Sequence, residues 1–419
     1  MDTSSMKPLL LNVLGFTLLF SQIDIAFSGA VRRTGKTCTV SASINGSDDA
    51  PAILEAFRLC GTNGLIQLHE PLYHIESVMS TTGLSNVEID LMGTMLWGTN
   101  LTYWVSSGIP LGYLNATTAW ALGGDQIVFT GHDVGTLDGN GQLWYNLADG
   151  VSNYPGRPIN LLVTNATDSL FTGIRFVQSQ YWTMAVKDSE DIVLQGIYVN
   201  STSNNSVPAR NTDGVDTFFS NKITFKNWTV VNGDDCIALK ANSTNILIQD
   251  SVFHGALGVA IGSIGQYDGV FEMIQNVTAE RILAIGSRYA GYIKTWTGVP
   301  QGFPPNGGGG GVGFATNITF KDFILQKVTD NVALITQCTS FEGATGDCDT
   351  SLFQLSNITW GPGIVGTIQT DTLAAMQCSG DAPCAGISLV GFNNVVTVGA
   401  REIKCSNIID PVFDCTGSI

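Results

Sequence analysis

One phrase recurs along this chain and limits what it can fold into: an alternating apolar run, a polar or glycine corner, then a second alternating run. It is read at Ile127–Gly131, Leu170–Phe176, Ile192–Val199, Ile223–Val230 and Ile246–Phe253, and again at Ile318–Leu325, Phe353–Trp360 and Ile387–Phe392. A period of two puts every second side chain on one face, so each run is a strand with one buried side. The copies stand about 22–45 residues apart, tightest in the centre. Units this short cannot bury their apolar face alone, whereas stacked coils share one core. The pattern therefore predicts an all-β, single-domain parallel β-helix over residues 30–419. A β-sandwich would set hairpin turns such as Asn-Gly between paired runs, but here the corners lie inside the repeat. One short helix is predicted over Ala50–Leu59, where Asp48 and Asp49 would cap its start and Ile53, Leu54 and Phe57 share one face. It would cap the open N-terminal end, and the cysteine-rich tail from about Cys338 would cover the other.

The first residues predict export. Lys7 supplies a positive charge, Pro8–Phe20 is apolar but short for a membrane span, and Ala26, Ser28, Gly29 and Ala30 are small. Residues 1–29 thus read as a signal peptide, and the protein as secreted and extracellular. Asn-X-Ser/Thr sequons at Asn45, Asn100, Asn115, Asn165, Asn200, Asn204, Asn227, Asn242, Asn276, Asn317 and Asn357 fit a glycosylated protein. The cysteines suit an oxidising compartment. Local pairs Cys38 with Cys60, Cys338 with Cys348, Cys378 with Cys384 and Cys405 with Cys415 would leave Cys236 unpaired. No CxxC or paired-His spacing suggests zinc. Only 13% of residues are charged, which excludes a disordered or coiled-coil chain. There are 19 Lys+Arg against 35 Asp+Glu, a net charge of -16. That balance argues against nucleic acid and against an anionic membrane as partner, since both need a basic face. A monomer without cofactor or metal is expected.

Most acids are scattered, but two groups are not: Asn211-Thr212-Asp213-Gly214-Val215-Asp216 and Gly233-Asp234-Asp235-Cys236. Asp213 and Asp234 lie 21 residues apart, about one coil of the proposed solenoid. They would sit on one face of neighbouring coils, roughly 4.8 Å apart. Crowded carboxylates raise the pKa of at least one, and a protonated acid beside an ionised base is what hydrolysis of a glycosidic bond needs. Two other readings stand beside this one. Asp216 could serve a coil corner, where its side chain satisfies turn amides. Clustered carboxylates also suit Ca²⁺, as in a lyase on a similar scaffold.

These residues resemble the polygalacturonase family, glycoside hydrolase family 28. The order Asn211-Thr212-Asp213-Gly214, Gly233-Asp234-Asp235-Cys236, Gly262-Ser263-Ile264-Gly265-Gln266-Tyr267 and Ile293-Lys294-Thr295-Trp296 carries the resemblance. Gly135–Tyr145, Arg157-Pro158 and Tyr181-Trp182 extend it over nearly the whole mature chain. The resemblance implies a right-handed helix and metal-free hydrolysis with inversion. Asp234 would be the proton donor, Asp213 and Asp235 would hold the attacking water, and Lys294 would face substrate. Tyr292, Asn211, Gln266 and Arg157 complete the candidate substrate-binding set.

The chain departs from the family pattern at three positions. Leu257 stands where the active-site His is usual, with His254 three residues earlier. Tyr292 replaces an Arg, and Phe253 replaces the usual partner of Cys236. The three acids remain, so hydrolysis is expected to remain while substrate recognition changes. The likeness runs to exo-acting fungal members that work on rhamnogalacturonan. A neutral terminal sugar needs no cationic partner, which favours α-L-rhamnose; Lys294 keeps galacturonic acid as the alternative. The irregular segment Gly298–Asn306 and the glycines that follow it read either as a surface loop or as a wall closing one end of a cleft. A calcium-dependent pectate-lyase-like enzyme and a non-catalytic carbohydrate-binding solenoid are the remaining alternatives.

Overall fold

The computed structural model describes residues 29–341 and 346–419. The leader read over residues 1–29 lies outside them, save Gly29. The strands join into one continuous sheet wound as a right-handed parallel β-helix, with antiparallel pairing at Ala30–Thr34 and Ile109–Pro110. The predicted phrase is the unit of stacking. Ile192, Ile223, Ile246, Val277, Ile318, Ile358 and Ile387 are in register on successive coils and all buried. A second ladder runs Phe129, Phe171, Leu194, Phe225, Ile248, Ala279, Phe320, Trp360. Each large rung contributes about 1.5–3 kcal/mol by leaving water.

Corners explain part of the sequon pattern. Asn245, Asn276, Asn317 and Asn357 share one corner with φ of 53 to 59°. Asn tolerates this left-handed conformation better than most residues. Asn276 Nδ2 donates to Asn245 Oδ1 at 2.9 Å, and Asn317 Nδ2 to Asn276 Oδ1 at 3.2 Å. A corner Asn followed two places later by an outward Thr spells a sequon without any need for a glycan.

The helix Ala50–Cys60 covers the N-terminal end and buries Ile53, Ala56 and Phe57. Cys38–Cys60 staples it to the first coil. Its capping differs from expectation: Asp49 turns away and accepts from the amides of Ser43 (2.7 Å) and His74 (2.9 Å). Asp48 Oδ1 instead meets the Ala50 amide at 3.0 Å. Two further helices, Leu101–Ser107 and Gly141–Ala148, are too short for periodicity to reveal.

The tail expected to cover the far end from Cys338 is corrected. Strands Leu352–Trp360, Thr372–Gln377, Cys384–Leu389 and Glu402–Ser406 continue the same stacking, because their alternation feeds the same core. The disulfides there tie coils locally rather than building a lid. Cys348 is half-buried in the turn before Leu352 and is bonded to Cys338, at the end of strand Ala333–Thr339. Cys378 is bonded to Cys384, across the turn that joins two strands. Cys415 is exposed, and its bond to Cys405 on Glu402–Ser406 folds the last loop back on the final coil. From that loop Phe413 packs against the core, so only this short piece does the covering once expected of the whole tail.

The four predicted local pairs, Cys38–Cys60, Cys338–Cys348, Cys378–Cys384 and Cys405–Cys415, are thus all formed, and Cys236 is unpaired and buried. Burial pushes its thiol well above the ordinary range. Thiol titration without reductant is expected to find one reactive group per chain in denaturant and none in the native protein. No group in denaturant would mean that Cys236 is bridged.

Candidate active site

Strands Met184–Lys187, Asp216–Phe218, Ile237–Leu239, Val259–Ile264, Gly291–Trp296, Ala333–Thr339 and Thr372–Gln377 lie side by side in one face. A cavity of about 480 Å³ runs across them, from Trp182 to Gln377. Six strand-to-strand steps at ~4.8 Å make this face about 29 Å long.

The acids enter from the turns before two of these strands, and the local sequence dictates those turns. A Cβ on Gly233 would meet Ala209 O at 2.2 Å, and one on Gly214 would meet Cys236 O at 2.3 Å. The two turns are also tied to each other. Asn232 Nδ2 donates to Thr212 O at 2.7 Å and to Asp235 O at 2.8 Å, and the Gly233 amide donates to Thr212 Oγ1 at 3.1 Å. One oxygen from each of Asp213, Asp234 and Asp235 then lies within 4.8 Å of the others. Among the described residues this is the group that could hold a cation, but an ammonium already occupies one member.

The three are not equivalent. Asp213 and Asp234 line the cavity. Asp235 is fully buried behind it, with Lys294 Nζ 2.9 Å from Oδ2 and the Tyr292 hydroxyl donating to Oδ1. Asp234 accepts from the amides of Asn211 and Asp235, both at 3.0 Å. Burial, then the charge of Asp235, still raises its carboxyl above the usual range. Asp213 Oδ1 has no hydrogen-bond partner, and burial with Asp234 and Asp216 nearby pushes its pKa well up. Asp216 does not reach the cavity. It lies beneath, 3.2 Å from Lys240 Nζ, and burial pushes it up to about 7. Lys294 is raised: Asp235, Asp234 and Asp213 outweigh the opposing effect of burial.

The other candidates fare unevenly. Asn211 lines the cavity, and its Oδ1 accepts from the Asn153 amide at 2.7 Å. Tyr292 also lines it, but the hydroxyl is spent on Asp235. Gln266 lines the wall, though its amide group donates to Pro305 O (2.8 Å) and Gly307 O (2.9 Å), so it pins a loop. Arg157 is corrected. It is 2% exposed and outside the cavity, holding Gln180 O at 2.6 Å and Arg210 O at 2.8 Å. Its side chain points inward beneath Tyr181, a direction that an Arg-Pro pair cannot reveal. His254 does not line the cavity, and Leu257 does. Of the disulfide cysteines, Cys338 reaches the cavity wall, whereas Cys348 and Cys415 do not and serve the scaffold alone.

Lys240, Asn153, Arg288 and Tyr289 also line the cavity and went unread in the sequence. Lys240 left a trace, as a charge ending the apolar run Ile237-Ala238-Leu239. The glycine-rich segment is no slack loop. Gly308 sits at φ 136°, its would-be Cβ 2.2 Å from Gln266 O, so the backbone presses directly on its neighbour. Across the cavity the segment meets the loop after Gly141–Ala148. Asn153 Nδ2 donates to Asn306 Oδ1 at 2.9 Å, and Asn306 Nδ2 to Ser152 O at 3.0 Å. This latch lines the cavity beside Asn211 and Tyr181, on the side of the earlier coils.

Comparison with known proteins places this architecture among characterised chains. The sequence profile of "Glycosyl hydrolases family 28" matches residues 76–415. An α-L-rhamnosidase of Aspergillus niger is 43% identical, the match covering 99% of this chain and 98% of the relative. An exopolygalacturonase of Cochliobolus carbonum is 32% identical over 91% of this chain and 86% of its own. The crystal structure of endo-xylogalacturonan hydrolase from Aspergillus tubingensis superposes with a TM-score of 0.77 at 25% identity, covering 91% of this chain and 99% of that one.

Proposed function

This chain belongs to glycoside hydrolase family 28, whose members degrade pectin, and from that premise we propose that it works from a chain end and releases one sugar at a time. The observation that carries the reading is the Asn153–Asn306 latch. It joins two loops that line the cavity on the early-coil side, and in this reading it closes that end to a polymer lying through. The terminal sugar would sit under the latch, against Trp182 and Lys240, and the chain would leave past Arg288 toward Gln377.

In this reading Asp234 gives its proton to the departing glycosidic oxygen. Asp213 takes a proton from the water that attacks the anomeric carbon, and Asp235 supplies fixed negative charge beside the acid. Inversion rests on family membership. The nearest carboxyl oxygens, within 4.8 Å, stand closer than the roughly 6.5–9.5 Å usual for inverting pairs. Four disulfides support an oxidising, extracellular setting.

Galacturonic acid is the first reading for the released sugar, because the ammonium groups of Lys240 and Lys294 line the cavity beside the acids. That moves the balance away from the neutral sugar favoured by the sequence. α-L-Rhamnose is the second reading, supported by the 43% identical relative.

One product experiment tests all three parts. Digestion of polygalacturonate and of rhamnose-terminated rhamnogalacturonan oligomers is expected to yield monosaccharide alone, and NMR of the nascent sugar an inverted anomer. Viscosity of polygalacturonate should fall only in proportion to new reducing ends. A steep early viscosity drop would mean internal cleavage, and the identity of the monosaccharide decides between the two sugars.

A further inference from the structure

Four side chains of one coil follow one another along the cavity wall, from the surface inward to Asp235. The Arg288 guanidinium lies 5.1 Å over the Tyr289 ring, the Tyr289 and Tyr292 rings are 4.7 Å apart, and Lys294 Nζ is 5.2 Å from the Tyr292 ring. All four line the cavity. Strand Gly291–Trp296 lies two coils past the strand that follows Asp234, whereas Asn153 of the latch lies on an earlier coil.

The two cations among these four side chains are in different states. Lys294 is committed to Asp235 and its side chain is 23% exposed. Arg288 is 55% exposed, and its hydrogen bond is from Nε to Asp330 at 3.3 Å, at the surface. A guanidinium seated over a ring loses less freedom on binding, and its terminal nitrogens match a carboxylate fork. A chain of net charge -16 repels a polyanion at long range, so close attraction must come from a local cation.

We propose that Arg288 and Tyr289 form a subsite for a uronic-acid residue of the part of the chain outside the latch, with Arg288 selecting its carboxylate. This deepens the exo-acting reading above and rests on it. Arg288 reads the acid, the buried Tyr289 ring beneath it seats the guanidinium, and Asp330 is the surface partner that the ligand displaces. The subsite makes an acidic chain, rather than an acidic terminal sugar, the recognised feature. It therefore serves either released sugar.

The test uses full-length protein carrying Asp234→Asn, titrated calorimetrically with trigalacturonate and with its carboxyl methyl ester. The acid is expected to bind about tenfold or more tightly than the ester. Adding Arg288→Gln should bring that ratio close to one while the ester's affinity changes less than about twofold. Arg288→Lys should keep part of the preference. An unchanged ratio in Arg288→Gln overturns the proposal. So does equal weakening of acid and ester, which would mark a structural role, and so does failure of trigalacturonate to bind. Absence of turnover by the unmutated enzyme on every pectic oligomer would sink the exo-hydrolase reading alone, because the binding ratio is measured without turnover.

Discussion

Asp234→Asn is expected to lower turnover at least about a thousandfold while leaving the coil stack intact. An amide of the same size can still accept the Asn211 amide hydrogen bond at this corner, but it has no proton to give. Stability should not suffer. Burial and the charge of Asp235 raise the folded carboxyl above its unfolded value. An acid raised in this way opposes folding once pH exceeds the unfolded pKa, because the unfolded state then releases the proton more readily. The variant should therefore be at least as stable as wild type at pH 7, and this difference should vanish below about pH 3. Denaturant midpoints at the two pH values, beside initial rates, make the check. Activity within tenfold of wild type would remove Asp234 from the chemistry.

Trp360→Ala should have the largest effect on stability, about 3–5 kcal/mol. Trp360 is fully buried, stacks on Phe320 at 5.3 Å and donates from its indole to Gly291 O at 2.9 Å. Gly291 opens the strand that carries Tyr292 and Lys294, and a Cβ there would lie 2.3 Å from Phe320. Removing the indole thus opens a cavity and frees a carbonyl under the candidate site. Trp360→Phe keeps most of the packing and should cost about 1–2 kcal/mol, mainly through the unmet carbonyl. A denaturant midpoint for Trp360→Ala equal to wild type would show that this rung is dispensable.

The fold was legible because its information is local. Ile192, Ile223 and Ile246 declare their buried face through their own neighbours, and stacking follows from the repeat. The disulfides were legible for the same reason: Cys348 and Cys415 each find a partner 10 residues back, within one turn of the solenoid. The acid cluster was legible because 21 residues from Asp213 to Asp234 make one coil. What the sequence hid depends on side-chain direction or on distant loops. Arg157 turns inward, Asp49 ties strands rather than a helix end, and the Tyr292 hydroxyl finds Asp235 only through the register of intervening coils. The latch pairs residues 153 positions apart in the chain, a contact to which no local pattern points.

That same separation bears on when the protein can acquire activity during its synthesis. The walls of the cavity come from residues as distant as Leu114 and Gln377. Coils contact only their neighbours, so early ones can stack while later ones are still being made. A nascent chain that has reached Asp235 already has its three carboxylates, yet it lacks Lys294, Asn306 and the cavity wall at Gln377. Such a chain would present a crowded anionic patch without its balancing ammonium. The strand Gly291–Trp296 brings the ammonium to that patch as it docks, so the charge balance of the site is completed only after two further coils have been added.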